Sequence, residues 1–145
     1  MQIAVVGCGW LGLPLAMSLQ KSGHDIVATR RSEVGCSQLR SIGFTGVQFE
    51  LGTSLTHEKF APLFNSDLLI LNIPVGRKIA SFDEFSTDMN DLLRQAVDSN
   101  IKHVIFVSTT SVYGDQNATI SEKSPTNPMT LSGKISLKVE QLVQQ

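Results

Sequence analysis

Side-chain chemistry is scarce in this chain. Its 145 residues include two cysteines, three histidines, one tyrosine and one tryptophan. Cys8 and Cys36 show no metal-ligand spacing, so no metal is expected, and both read as small buried residues with reduced thiols. The histidines at 24, 57 and 103 are scattered, and each reads as surface or turn. Charge is also scarce. Charged residues make up 17% and the net charge is −1, which leaves no surplus for nucleic acid or a membrane surface. No apolar run approaches the roughly 18 residues of a membrane span. The N-terminus starts a strand pattern at once and lacks the charged start of a signal peptide, so the expected setting is the cytoplasm. There is no internal repeat. The most linker-like stretch is 114–130, "GDQNATISEKSPTNPMT", and a short helical pattern, "SGKISLKVEQLVQQ", follows it.

What the chain does have is apolar residues, 41% of the total, and enough length for one domain with a real core. Apolar patterning predicts strands at 2–6, 25–30, 46–51, 67–74 and 103–108. Helical spacing predicts helices at 11–22, 33–42 and 82–100, with a short one at 57–64. The long helix is expected to bury Phe85, Met89, Leu92, Leu93, Ala96 and Val97 on one face. Strands alternating with helices imply a doubly wound, mostly parallel α/β sheet of Rossmann type. Such a sheet binds ligands beyond the carboxyl ends of its strands. Here those ends are residues 7–12, 29–32, 51–53, 72–76 and 108–114.

The first end reads Gly7-x-Gly9-x-x-Gly12 between a strand and a helix. The first glycine permits a tight turn, the second a close approach to a diphosphate, and the third helix–strand packing. The helix N-terminus behind them offers N–H groups and a partial positive charge. Dinucleotide binding is the expectation, with Trp10 and Leu11 as wall and packing. At the second end, Thr29-Arg30-Arg31-Ser32 has no acid to grip a ribose 2′-hydroxyl, and two guanidiniums suit a 2′-phosphate. NADP is therefore expected over NAD. Leu51 should lie near adenine, and Asn72, Ile73 and Pro74 along the middle of the cofactor.

The stretch "STTSVYG" at 108–114, joined to the glycine loop, resembles the extended short-chain dehydrogenase/reductase family, which includes nucleotide-sugar epimerases and dehydratases. "GWLGLPLA", "STTSVYGD" and "NPMTLSG" are similar to its atypical YeeZ-type subgroup, and the resemblance covers all 145 residues. It implies an NAD(P) cofactor and a nucleotide-sugar or other small-molecule substrate. It implies Thr109 as a hydroxyl polarising the substrate near the nicotinamide; Tyr113, the only tyrosine, belongs to the Val-Tyr-Gly turn, where packing or one structural hydrogen bond is expected and a substitute acid is the alternative. The family's general acid/base is a Tyr-x-x-x-Lys pair on one helix face, where the lysine helps a phenol of pKa about 10 to work near neutrality. Counting from Glu140 places that pair at 132 and 136, where this chain has Ser132 and Ser136. Lys134 and Lys138 lie on other faces. Cofactor binding survives this departure, whereas hydride transfer by the family's route is left without its usual acid/base pair. Family chains also run to about twice this length, so 1–145 is expected to be the cofactor domain without its substrate-binding part. Such a domain exposes the surface meant for its other half, which makes self-association through that patch an expectation. Two readings remain open: part of an epimerase/dehydratase-like enzyme, or a non-catalytic NADP-binding sensor or interaction module.

Overall fold

The computed structural model describes residues 1–75 and 82–145, so residue 76, at the far end of the fourth expected edge, lies outside the described residues. Five parallel strands form one sheet, β1 (Gln2–Val6), β2 (Asp25–Arg30), β3 (Thr45–Gln48), β4 (Leu68–Leu71) and β5 (His103–Phe106), in the order β3-β2-β1-β4-β5. Among the described residues, five α-helices connect or follow them, α1 (Gly12–Lys21), α2 (Glu33–Ser41), α3 (Ala61–Phe64), α4 (Phe82–Asp98) and α5 (Leu131–Val143). The chain winds outward from β1 to β3, returns across β1, and winds the other way through β4 and β5. The winding thus reverses between β1 and β4, which opens a crevice at their carboxyl ends.

Strand residues alternate between two cores, as a pleat requires. Ile3, Val5, Ile26, Ala28 and Ile70 pack with Ala16 of α1 and Leu39 of α2. Ala4, Val6, Val27, Leu69 and Leu71 pack on the other face, with Leu63, Met89, Leu92, Ile135 and Val139 from α3, α4 and α5. β5 is less covered. Ile105 pairs with Ile70, yet Ile105 is 50% exposed where Ile70 is 5%.

Three expected strands stop early. β3 ends at Gln48, because Phe49 makes a last bond to the Arg30 carbonyl before residues 50–53 turn away. β4 ends at Leu71, where the Asn72 side chain turns back to the first loop, and β5 ends at Phe106. The expected helix at 57–64 is a 3-10 turn, Glu58–Phe60, followed by α3 with Pro62 in its first turn. On α4, Phe85, Met89, Leu92 and Ala96 are buried, but Val97 is 72% exposed. At roughly 100° per residue, position 97 falls about 120° around the helix from Phe85, outside the stripe. Among the described residues, no helix is long and apolar enough to cross a membrane.

Candidate functional site

The crevice is built around the first loop. Gly7 has φ +91, and a β-carbon there would stand 2.2 Å from the Asn72 carbonyl oxygen. A β-carbon on Gly12 would stand 2.5 Å from the Gly7 oxygen, whereas one on Gly9 would meet nothing within 4 Å. Two glycines are thus demanded by the fold, and the third leaves backbone bare to open space. Neighbouring strands hold the loop in place. The Gly7 N–H donates to Thr29 Oγ1 at 2.9 Å, and the Cys8 N–H to the Thr29 carbonyl at 3.0 Å. Asn72 Nδ2 donates to the Gly7 oxygen at 2.8 Å. The Gly9 oxygen accepts from Leu13 N, in the first turn of α1. Among the described residues, no acceptor meets the N–H groups of Trp10, Leu11 or Gly12. Three unpartnered donors at a helix N-terminus are an arrangement able to accept an anion.

A cavity of about 770 Å³ opens beside the loop. It gathers Gly7, Gly9, Trp10, Thr29, Arg30, Arg31, Leu51, Asn72, Ile73 and Pro74, all expected from the sequence. Thr29 is 2% exposed, and its hydroxyl is spent on holding Gly7. Trp10 forms wall but not packing, since its indole is 90% exposed. Arg30 lays its stem against α2, where a β-carbon on Gly35 would come within 3.0 Å of it, and its Nε is buried without a hydrogen-bond partner. A buried guanidinium nitrogen without an acceptor is a polar group that the fold leaves unsatisfied. Ser32 caps α2 beside it by accepting from Gly35 N at 3.1 Å.

Sequence reasoning missed Cys8, Phe49, Glu50, Glu84, Phe85 and Asp88, which line the same cavity. Burial pushes the Cys8 thiol upward, and the nearby Arg30 charge pulls the other way, more weakly. The thiol therefore stays neutral and is a poor nucleophile. The Asp88 carboxyl is raised from its ordinary value, chiefly by burial, then by the charge of Glu84, then by that of Asp91. A carboxyl raised in the folded state contributes fully at acid pH, below its ordinary value, and that contribution is lost as pH rises through the raised value. Asp88→Asn is expected to melt about 2 °C higher than wild type at neutral pH, from the roughly 0.5 kcal/mol of like-charge helix pairs. Melts taken below the ordinary carboxylate range should show no gain, and a gain that persists there would exclude charge relief.

Leu11, Gly12, Thr109 and Tyr113 do not line this cavity. The Thr109 hydroxyl is committed to its own turn, donating to Ser111 Oγ and accepting from Ser111 N at 3.1 and 3.2 Å. Tyr113 closes that 3-10 turn, Thr110–Tyr113. The turn packs tightly on α5, where a β-carbon on Gly133 would stand 2.5 Å from the Ser111 oxygen. Positions 132, 136 and 140 follow one face of α5. Ser132 bonds the Thr130 hydroxyl, Ser136 is buried, and the Glu140 carboxylate accepts from Ser108.

A model of the NAD-dependent epimerase/dehydratase family matches residues 3–144. Protein YeeZ of Escherichia coli K12 is 31% identical over 141 residues, covering 96% of this chain and 52% of that protein. Among solved structures, UDP-N-acetylglucosamine 4-epimerase from Bacillus cereus superposes with a TM-score of 0.79 at 20% identity, over 99% of this chain and 48% of that one. UDP-glucuronic acid 4-epimerase from Bacillus cereus, in complex with NAD, gives 0.76 at 22% identity, over 99% and 51%. The chain spans about half the length of the curated relatives it matches.

Proposed function

The chain belongs to the NAD-dependent epimerase/dehydratase family, and from that premise we propose that it is the dinucleotide-holding part of a nucleotide-sugar epimerase-like protein. One observation carries this reading. In the loop beside the cavity, which Gly7, Gly9 and Trp10 line, two glycines leave no room for a β-carbon, a third leaves backbone bare, and among the described residues three donors stand without acceptors. The backbone of Trp10, Leu11 and Gly12 would hold the diphosphate. Arg30 and Arg31 would meet a 2′-phosphate on the adenosine ribose, which favours NADP over NAD. Leu51 would lie near adenine, Asn72, Ile73 and Pro74 along the middle, and the Thr109 turn at the nicotinamide end. A bound nicotinamide dinucleotide supplies reversible hydride transfer at a sugar carbon. The free, buried Cys8 and Cys36 suit a reducing cytoplasm.

Calorimetric titration with NADP and NAD tests the reading. Tighter binding of NADP supports it, equal or reversed preference removes the role of the arginines, and no binding of either removes the reading itself. A second reading, a non-catalytic NADP sensor or interaction module, is favoured by one feature. Ser132 and Ser136 stand where a phenol and an amine would supply acid/base chemistry, and the Thr109 hydroxyl is already engaged. Stopped-flow oxidation or reduction of bound cofactor with UDP-sugars separates the two, because turnover excludes the module.

A further inference from the structure

We propose that the Trp10 side chain is an aromatic clamp that folds over the bound dinucleotide, an inference that rests on the reading above. Its indole is 90% exposed, the highest value among the large apolar side chains of the described residues. The other aromatic walls of the cavity are already spent on the core, Phe49 at 5% and Phe85 at 8% exposure. Trp10 therefore holds the main uncommitted aromatic surface that the cavity has. It also follows Gly9, whose backbone faces open space, and its own N–H is one of the three donors without acceptors. A diphosphate seated on those amides lies within reach of the indole, which can cover the adjoining ribose with its ring face. Covering it buries apolar surface on both partners and excludes water from the charge-assisted hydrogen bonds beneath. The backbone of residue 10 would then grip the diphosphate while its side chain closes the mouth.

The experiment uses the fact that Trp10 is the only tryptophan, so the protein's indole emission is its own. Acrylamide quenching of that emission is measured with and without NADP, and NADP affinity is measured by calorimetry for wild type, Trp10→Ala and Trp10→Phe. NADP is expected to shield the indole from acrylamide. Trp10→Ala should weaken binding about tenfold to a hundredfold, and Trp10→Phe by only a few fold, since a ring remains. Both variants should melt with wild type, because the side chain supports no packing. Unchanged affinity in Trp10→Ala, or an indole equally open to acrylamide in the complex, overturns the clamp while leaving the cofactor reading in place. Failure of wild type to bind any dinucleotide overturns both.

Discussion

Gly7→Ala is expected to destabilise the protein severely, while Gly9→Ala, two residues on, leaves the fold intact and abolishes tight dinucleotide binding. At position 7 two costs combine. A residue with a β-carbon at φ +91 costs about 1–2 kcal/mol. The added carbon would also sit 2.2 Å from the Asn72 backbone oxygen, and moving the end of β4 to relieve it costs about 1–3 kcal/mol. A loss of about 3 kcal/mol lowers the melting temperature by roughly 10 °C. Gly12→Ala shares the steric part, through the Gly7 oxygen at 2.5 Å. Position 9 has neither problem, so its melting temperature should match wild type. A methyl there would instead stand in the diphosphate's place. Losing two charge-assisted hydrogen bonds to the backbone costs about 3 kcal/mol or more, a hundredfold or greater loss of affinity. Thermal melts and calorimetry on the three variants check the pattern. A Gly9→Ala protein that binds NADP as wild type does would show that the bare backbone is not a ligand seat.

The second large effect is expected from the arginines at the end of β2. Arg31 is exposed, so Arg31→Ala should be tolerated. Arg30 needs its stem, which lies against Gly35, so Arg30→Met keeps the packing and removes the charge. Each charge-assisted bond to a phosphate contributes about 1.5–3 kcal/mol, so the double variant should lose a hundredfold or more in NADP affinity. NAD affinity should stay within a few fold, because NAD lacks the 2′-phosphate. Three carboxylates, Glu50, Glu84 and Asp88, line the same cavity and sharpen the comparison. If the double variant discriminates between NADP and NAD as wild type does, the arginines are solvated charges.

β1 and β2 were legible in the sequence because both faces of each are buried over residues 3–6 and 26–28, so a continuous apolar run marks the middle of each ladder. Phe49, Leu51 and Ile73 are equally apolar but lie beyond the ladders, where they wall a cavity or support a core. Composition cannot separate those uses, and the expected strands ran long for that reason. Val97 joined the expected stripe by spacing from Leu93, not by its angle from Phe85. The glycine loop, the paired arginines and the residues after β4 were legible because each sits at a strand's carboxyl end. Glu84, Phe85 and Asp88 were not, because α4 reaches the crevice through a crossover rather than a motif. One signal was available: the first turns of α4 begin at the carboxyl edge of the sheet, and Glu84 and Asp88 are one turn apart. Thr109 was expected at the site by position, but its hydroxyl caps the next turn, and that is set by backbone angles no residue pattern displays.

The bonds from Thr29 and Asn72 to Gly7 have a thermodynamic consequence. They tie the seat to two interior strands, so its shape arrives with the fold and not with the guest. A bound dinucleotide would then restrict its own torsions and the Trp10 side chain but little of the host's backbone, so the entropy of association would be set by the nucleotide and that one side chain rather than by ordering of the loop backbone.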